Sequence, residues 1–195
     1  MKKIITVSRQ FGSGGRSIAK LVAEELGYDY YDSELVKKVA EETGFDPAYI
    51  ADAGEYAPGK SIFSYAFSST AVHGGMSAGD YLWAAQCKVI LELAEKGNCV
   101  IVGRCADYIL RERDDCLNVF IYADTAYKAK RIVELYGVTD KSPEKRLADK
   151  DGKRRVNYKY FTGREWGDTA NYHLCLDSGF FTQDKCADII AESAK

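Results

Sequence analysis

Long apolar runs are missing from this chain. None approaches the roughly 20 residues that cross a bilayer as a helix, which argues against a membrane protein. The opening MKKIITVSRQ has a basic start, but its apolar run is four or five residues long and no small-residue cleavage site follows. It reads as a first strand in a cytoplasmic protein. Histidine is scarce, with two residues, and the six cysteines (Cys87, Cys99, Cys105, Cys116, Cys175, Cys186) include no C-x-x-C pair, so zinc has a poor supply of ligands. Segments such as NCVIVGRCA and YHLCLD surround cysteine with apolar residues, where a reduced thiol acts as a small core side chain. An excess of one charge is absent too: 27 Lys and Arg against 29 Asp and Glu leave a formal net charge of -2. No overall field draws the chain to nucleic acid or to an anionic membrane, and any anion site has to be built locally.

What is present is ordinary globular composition, 46% hydrophobic and 29% charged, which argues against disorder. A chain of 195 residues suits one compact domain, residues 1–195, with an insertion. Strand-like and helix-like segments alternate along it. Ile4 to Ser8 read as a buried strand and Ser17 to Leu26 as a helix with Ile18, Leu21, Val22 and Leu26 on one face, ended by Gly27. YDYYD reads as a second strand and SELVKKVAEETG as a helix, with Ser33 as N-cap and Gly44 as terminator. From Phe45 to Gly79 the character changes, with Pro47, Pro58, several glycines and the run GKSIFSYAFSSTAVHGGMSAGD. This stretch predicts an insertion or lid outside the core layers. Helical spacing returns in DYLWAAQCKVILELAEKG; CVIVG and LNVFIYA read as strands, and ADYILRER and TAYKAKRIVELYG as helices. A charged segment then precedes a last strand, YHLCLD, and a helix from about Thr182 to Ala194. Apolar strands separated by helices predict an α/β fold, a parallel sheet covered on both faces.

The chemistry concentrates in RQFGSGGRS, between the first strand and the first helix. Glycines let the backbone turn its N–H groups inward, and a helix N-terminus adds donors and partial positive charge. Against the phosphate-loop pattern G-x-x-x-x-G-K-[ST], Gln10 to Ser17 reads Q-F-G-S-G-G-R-S. Gly15 and Ser17 match, while Gln10 stands for the first Gly and Arg16 for the Lys. Lys is a flexible point charge, whereas Arg offers a planar, bulkier fork that grips two oxygens. The dinucleotide fingerprint is half met, since Gly12 and Gly14 are followed by Ser17. A glycine turn with no ligand is the plain alternative; the flanking strand and helix favour phosphate binding by Gly12, Ser13, Gly14, Gly15, Arg16 and Ser17. Ser17 also brings the hydroxyl that a phosphate loop offers to Mg²⁺ held mainly by the bound phosphates. No strand ends in a carboxylate pattern that would assist the metal, and Asp124, one residue beyond Ala123, is left unassigned.

Four segments, SRQFGSGGRSIA, YYDSELV, CVIVGRCADYIL and DKDGKRRVNYKYFTGREWGDTANYHLCLDS, resemble the cytidylate kinase-like group of P-loop nucleoside monophosphate kinases. The likeness runs nearly end to end. It implies a parallel sheet of about five strands, an acceptor-binding insertion over about 45–80, and a basic lid with its following loop over about 140–168. The implied reaction carries a phosphoryl group from ATP, with Mg²⁺, to a small pyrimidine nucleotide, CMP or dCMP first; neither nucleic acid nor membrane is a partner. The resemblance gives Arg104 to the acceptor phosphate and places the Asp32 turn near the acceptor. Asp107 either orients Arg104 or touches the nucleoside. The pattern puts Asp151 and Arg154 in register with NYKYFTG, with Gly152 where the family usually has Lys, so Arg154 and then Arg146 are the lid arginines.

These residues also have independent readings. Arg104 and Asp32 follow the carboxyl ends of strands, where ligands sit in open α/β sheets, and a guanidinium there suits a phosphate held bidentately. KRLADKDGKRR supplies the cations that phosphoryl transfer needs, but a solvated charged face would look the same. Arg104 could pair with Asp107 for structure alone, and Ser33 could be a simple helix cap. Phe63, Tyr65 and Phe67 could stack on a base or line a strand face. TGREWGDTANYHLCLD carries no derivable chemistry beyond turns, local caps and Trp166 as an anchor; His173 reads as a packed or surface histidine and His73 is unnecessary. A nucleotide-binding regulator without turnover, or a kinase for another small phosphoacceptor, fits the same loop.

Overall fold

The computed structural model describes residues 2–53 and 77–195. At its centre lies β1 (Ile4–Arg9), every residue of which is buried. In parallel register it pairs with β3 (Cys99–Val102) on one side and β4 (Cys116–Tyr122) on the other. The outer strands β2 (Asp29–Tyr31) and β5 (Leu174–Asp177) complete a five-stranded parallel sheet in the order β2-β3-β1-β4-β5. The helices are α1 (Gly15–Leu26), α2 (Ser33–Thr43), α3 (Pro47–Ala53), α4 (Ala78–Lys96), α5 (Ala106–Ile109), α6 (Thr125–Tyr136), α7 (Pro143–Thr162) and α8 (Gln183–Ala194). None of the helices among the described residues is long and apolar enough to cross a membrane.

Side chains that alternate along the strands separate two cores. Ile5, Val7, Val100, Val102, Val119 and Ile121 face α1 and α8, packing on Ile18, Val22 and Ile190. Ile4, Cys99, Ile101 and Cys116 face the other way, onto Leu35, Val39, Ile90 and Leu93 of α2 and α4. Each such aliphatic side chain contributes about 1.5–3 kcal/mol on burial, and a one-residue slip of β1 would exchange its faces. Thr6 adds a polar marker of register: it stands opposite Asn118, and its hydroxyl donates to Asn118 Oδ1 at 2.6 Å. All six cysteines are free thiols, four of them buried.

Four expectations from the sequence change here. Ser33 is the first residue of α2 and Asp32 holds the N-cap position, with no side-chain capping bond. ADYILRER forms only the single turn α5, because Gly103, Arg104 and Cys105 have positive φ and the chain leaves the helix at Leu110. The predicted insertion contributes to the core at its start, since α3 buries Ile50 completely beside Leu35. The charged segment is the 20-residue helix α7, whose buried side is mostly polar: Leu147, Asp151, Arg154, Asn157, Tyr158 and Thr162. Phe63, Tyr65, Phe67 and His73 lie outside the described residues.

Ile190 is fully buried between α8 and the sheet. Ile190→Ala is expected to lower stability by about 2–5 kcal/mol, read as a shifted urea midpoint with an unchanged m-value.

Candidate functional site

At the carboxyl edge of the sheet, β1 turns through Gln10–Gly14 into α1. Gly12 and Gly14 take left-handed backbone, at φ 82° and 78°. A Cβ on Gly12 would stand 2.9 Å from the Lys128 carbonyl oxygen, and one on Gly15 would stand 2.4 Å from Arg9 Cβ, so packing demands glycine as well as torsion. No side chain caps the start of α1. Its first-turn amides border a cavity of about 590 Å³ lined by Gly12, Gly14, Gly15, Arg16 and Ser17, the arrangement that receives an anion.

The loop is held from behind. Gln10, where the phosphate-loop pattern has Gly, accepts through Oε1 from Lys128 Nζ at 2.7 Å and from the Ala123 amide at 3.3 Å. Ser13 is fully buried; its hydroxyl donates to the Gln10 carbonyl at 2.9 Å, and its own carbonyl accepts from the Ser178 hydroxyl at 2.5 Å. In front, the Phe11 amide donates to Asp151 Oδ1 of α7 at 2.7 Å.

Cations gather around this frame. Arg9, Arg104 and Arg154 are buried, with 5%, 8% and 8% of their surface exposed. The Arg9 side chain threads between two glycines: a Cβ on Gly15 would meet its stem, and one on Gly103, itself at φ 70°, would lie 2.3 Å from Nη1. Arg154 Nη1 donates to the Arg9 carbonyl at 3.2 Å and pairs with Asp151 at 3.3 Å. Arg9 and Arg154 border the loop cavity and also a small cavity of about 20 Å³ shared with Ser8, Gly103, Arg104 and Tyr158. From α6, Arg131 Nη2 donates to the Ser17 hydroxyl at 3.2 Å.

Of the residues singled out in the sequence, Gly12, Gly14, Gly15, Arg16, Ser17 and Arg154 share the loop cavity, and Ser13 sits behind it. Arg104 borders the small cavity, but its guanidinium also donates to the carbonyls of Ile50 and Ala51 at 2.8 and 3.3 Å, tying α3 to the sheet edge. Asp107 pairs with Tyr158, whose hydroxyl donates to Oδ2 at 2.6 Å, and not with Arg104. Asp32 meets Arg16 in an ion pair at 3.0 Å. Arg146 is apart from the loop cavity: it donates to the Gly137 carbonyl and lines an outer cavity with Lys141, Asp149, Lys150 and Lys153. Asp124 caps α6, accepting from the Tyr127 amide at 2.8 Å. Trp166 does anchor its loop, donating to Ser8 Oγ and packing edge-on against Phe120, and His173 Nδ1 accepts from the Asn118 amide. The sequence reading missed Arg9 and Arg131. Arg9 ends a strand at the ligand edge, the same signal that found Arg104, whereas Arg131 lay unremarked in a helix.

A model of the cytidylate kinase-like family matches residues 4–179. The chain belongs to the cytidylate kinase-like family. The match begins at the first residue of β1 and ends just beyond β5, so it takes in the whole sheet. A cytidylate kinase from Aeropyrum pernix is 23% identical over 185 residues, 94% of each chain. The crystal structure of an uncharacterized protein from Eubacterium ventriosum superimposes with a TM-score of 0.74 at 27% identity, covering 98% of this chain and 97% of that one. A shikimate kinase from Acinetobacter baumannii, solved with shikimate, gives a TM-score of 0.55 at 16% identity over 98% of this chain and 92% of its own, a likeness of fold.

In this member of the family, the carboxylate among the described residues displaced furthest from its ordinary value is Asp107. Burial pushes it up to about 6, against the opposing pull of the Tyr158 hydrogen bond. Between its ordinary value of 3.8 and about 6, the folded protein binds more protons here than the unfolded chain does, so stability is lost as pH rises through that window and the loss stays constant above it. Asp107→Asn keeps an acceptor for Tyr158 and removes the charge. Its stability relative to the parent protein is expected to rise between about pH 4 and pH 6 and to level off above that, measured by urea midpoints; a difference independent of pH would contradict the assignment.

Proposed function

We propose that this protein is a cytoplasmic phosphotransferase of one domain, residues 1–195, that moves the γ-phosphoryl group of ATP to a nucleoside monophosphate, CMP or dCMP before others. The observation that carries the reading is the position of Arg154: a buried guanidinium bordering both the loop cavity and the small cavity at Gly103–Arg104. A group passing between a donor and an acceptor needs its charge neutralised at that boundary, and preorganised cations do so without rearrangement. The cytidylate kinase names among the relatives support the nucleotide acceptor.

In this reading the amides of Gly12–Ser17 and the α1 dipole cradle the donor phosphates, with Arg16 and Arg131 adding charge. Arg104 receives the acceptor phosphate from the far side, and the 45–80 segment completes its pocket. Asp107 acts behind Tyr158 and holds the β3 turn against α7. Arg146, part of the 140–168 lid segment, adds charge from the outer cavity. The acceptor phosphate is already an anion, so positioning and charge matter more than proton removal. Ser17 lines the loop cavity, its hydroxyl accepting from Arg131, and among the described residues no cluster of three carboxylate, His or Cys ligands competes for a metal. That donor set suits Mg²⁺ held chiefly by ATP phosphates and water, with Ser17 as the protein ligand. Once bound, the ion would supply phosphate charge neutralisation.

The test is coupled ADP release with Mg-ATP and CMP, dCMP, UMP, AMP or GMP, alongside ATP calorimetry. Turnover with a pyrimidine nucleotide is expected, with kcat reduced about 10²–10³-fold in Arg154→Ala, the size seen when one preorganised donor is removed. Turnover confined to AMP or GMP would overturn the pyrimidine assignment. Silence across the panel with ATP still bound would overturn transfer to these acceptors and favour a nucleotide-binding regulator.

A further inference from the structure

Arg16 replaces the phosphate-loop Lys, and its side chain does not stand alone over the loop. Its guanidinium meets Asp32 at two points, Nε to Oδ2 at 3.0 Å and Nη2 to Oδ1 at 3.4 Å. The same side chain lines the loop cavity, so it stands between a carboxylate and the place of the donor phosphates. The two partners differ in environment: the Asp32 side chain is 18% exposed and that of Arg16 55%. Asp32 occupies the N-cap position of α2, where an Asp ordinarily turns its carboxylate to the helix amides, yet it makes no capping bond. Its carboxylate also lies close enough to Tyr30 to raise that phenol, a shift whose largest cause is burial and which Arg16 and Arg9 oppose.

These features have a common cause in the difference between Lys and Arg. A Lys ammonium reaches phosphate as a compact charge from any direction, whereas a guanidinium has to present its plane and edge correctly. A half-exposed Arg at the start of a helix has many rotamers open to it, and a two-point carboxylate contact selects one. We propose that Asp32 is the positioning residue for Arg16: by fixing the plane of the guanidinium, it lets Arg serve at a loop position built for Lys. Arg16 and Asp32 therefore act as a unit, and the unit joins the donor loop at α1 to the β2–α2 turn. On this account the Lys found in other phosphate loops is not an improvement here, because a single ammonium cannot take both Asp32 oxygens in one plane. The inference rests on the phosphoryl-transfer reading for its effect on turnover, but not for its effect on nucleotide binding.

The experiment is a double-mutant cycle over Arg16→Lys, Asp32→Asn and the combined variant. ATP dissociation constants by calorimetry, kcat in the pyrimidine assay and thermal midpoints are recorded for all four proteins. Each single substitution is expected to weaken ATP binding about tenfold and to lower kcat, and the combined variant to be no worse than the worse single, as for residues acting together. Thermal midpoints should stay close to the parent value, since Asp32 caps no amide. Losses that add across the cycle, or an Arg16→Lys protein that binds ATP as tightly as the parent, would overturn the proposal. A parent protein that binds ATP without turnover, but shows the non-additive loss of affinity, would support the pair and sink the kinase reading alone.

Discussion

A guanidinium taken out of water needs oxygen atoms around it, and the carboxyl edge of this sheet has to satisfy three of them. The demand of Arg104 is met in part by the last carbonyls of α3, which explains why a short helix is drawn into the core beside α2. Arg154 takes the Arg9 carbonyl and the Asp151 carboxylate, which brings α7 down onto the loop. Arg9 needs space as much as partners, and the glycines at 15 and 103 provide it. Left-handed backbone at Arg104 and Cys105 is a further cost, of the kind that persists where surrounding contacts over-determine the conformation. The helices around the edge are thus arranged by the solvation requirements of charge, while the apolar faces of the sheet set only which layer each helix joins.

How much of this was legible in the sequence depends on whether a segment buries apolar or polar groups. β1, β3 and β4 announce themselves as uninterrupted apolar runs because both of their faces are covered, and from these the parallel sheet follows. α7 gave no such signal: its buried positions recur at helical spacing, but Asp151, Arg154, Asn157 and Tyr158 fill them, so a hydrophobic pattern does not exist to be read. The glycine loop was visible as a phosphate cradle, yet the fate of its Arg was not. Arg16 and Asp32 lie 16 residues apart on different elements, and no local periodicity links them. For the same reason Asp107 could not be assigned to Tyr158, 51 residues further along.

Gln10 illustrates a departure from pattern that only tertiary structure explains. At the first position of a phosphate loop a Gly leaves backbone room, and Gln there looks like damage. Here the side-chain oxygen is engaged by the protein, and it fixes the loop to Lys128 and to the end of β4. A buried Lys on α6 gains an acceptor, and the loop gains a rear support independent of any ligand.

The attachment of α7 to the loop is made through main-chain atoms on the loop's side: Asp151 receives the amide of residue 11, and Arg154 gives to the carbonyl of residue 9. Neither bond inspects the side chain at position 11. That position can drift without detaching the helix, provided the residue keeps an N–H, so proline alone is barred on this ground. Such main-chain fastening lets the architecture of the edge tolerate a change of side chain at that place in the loop.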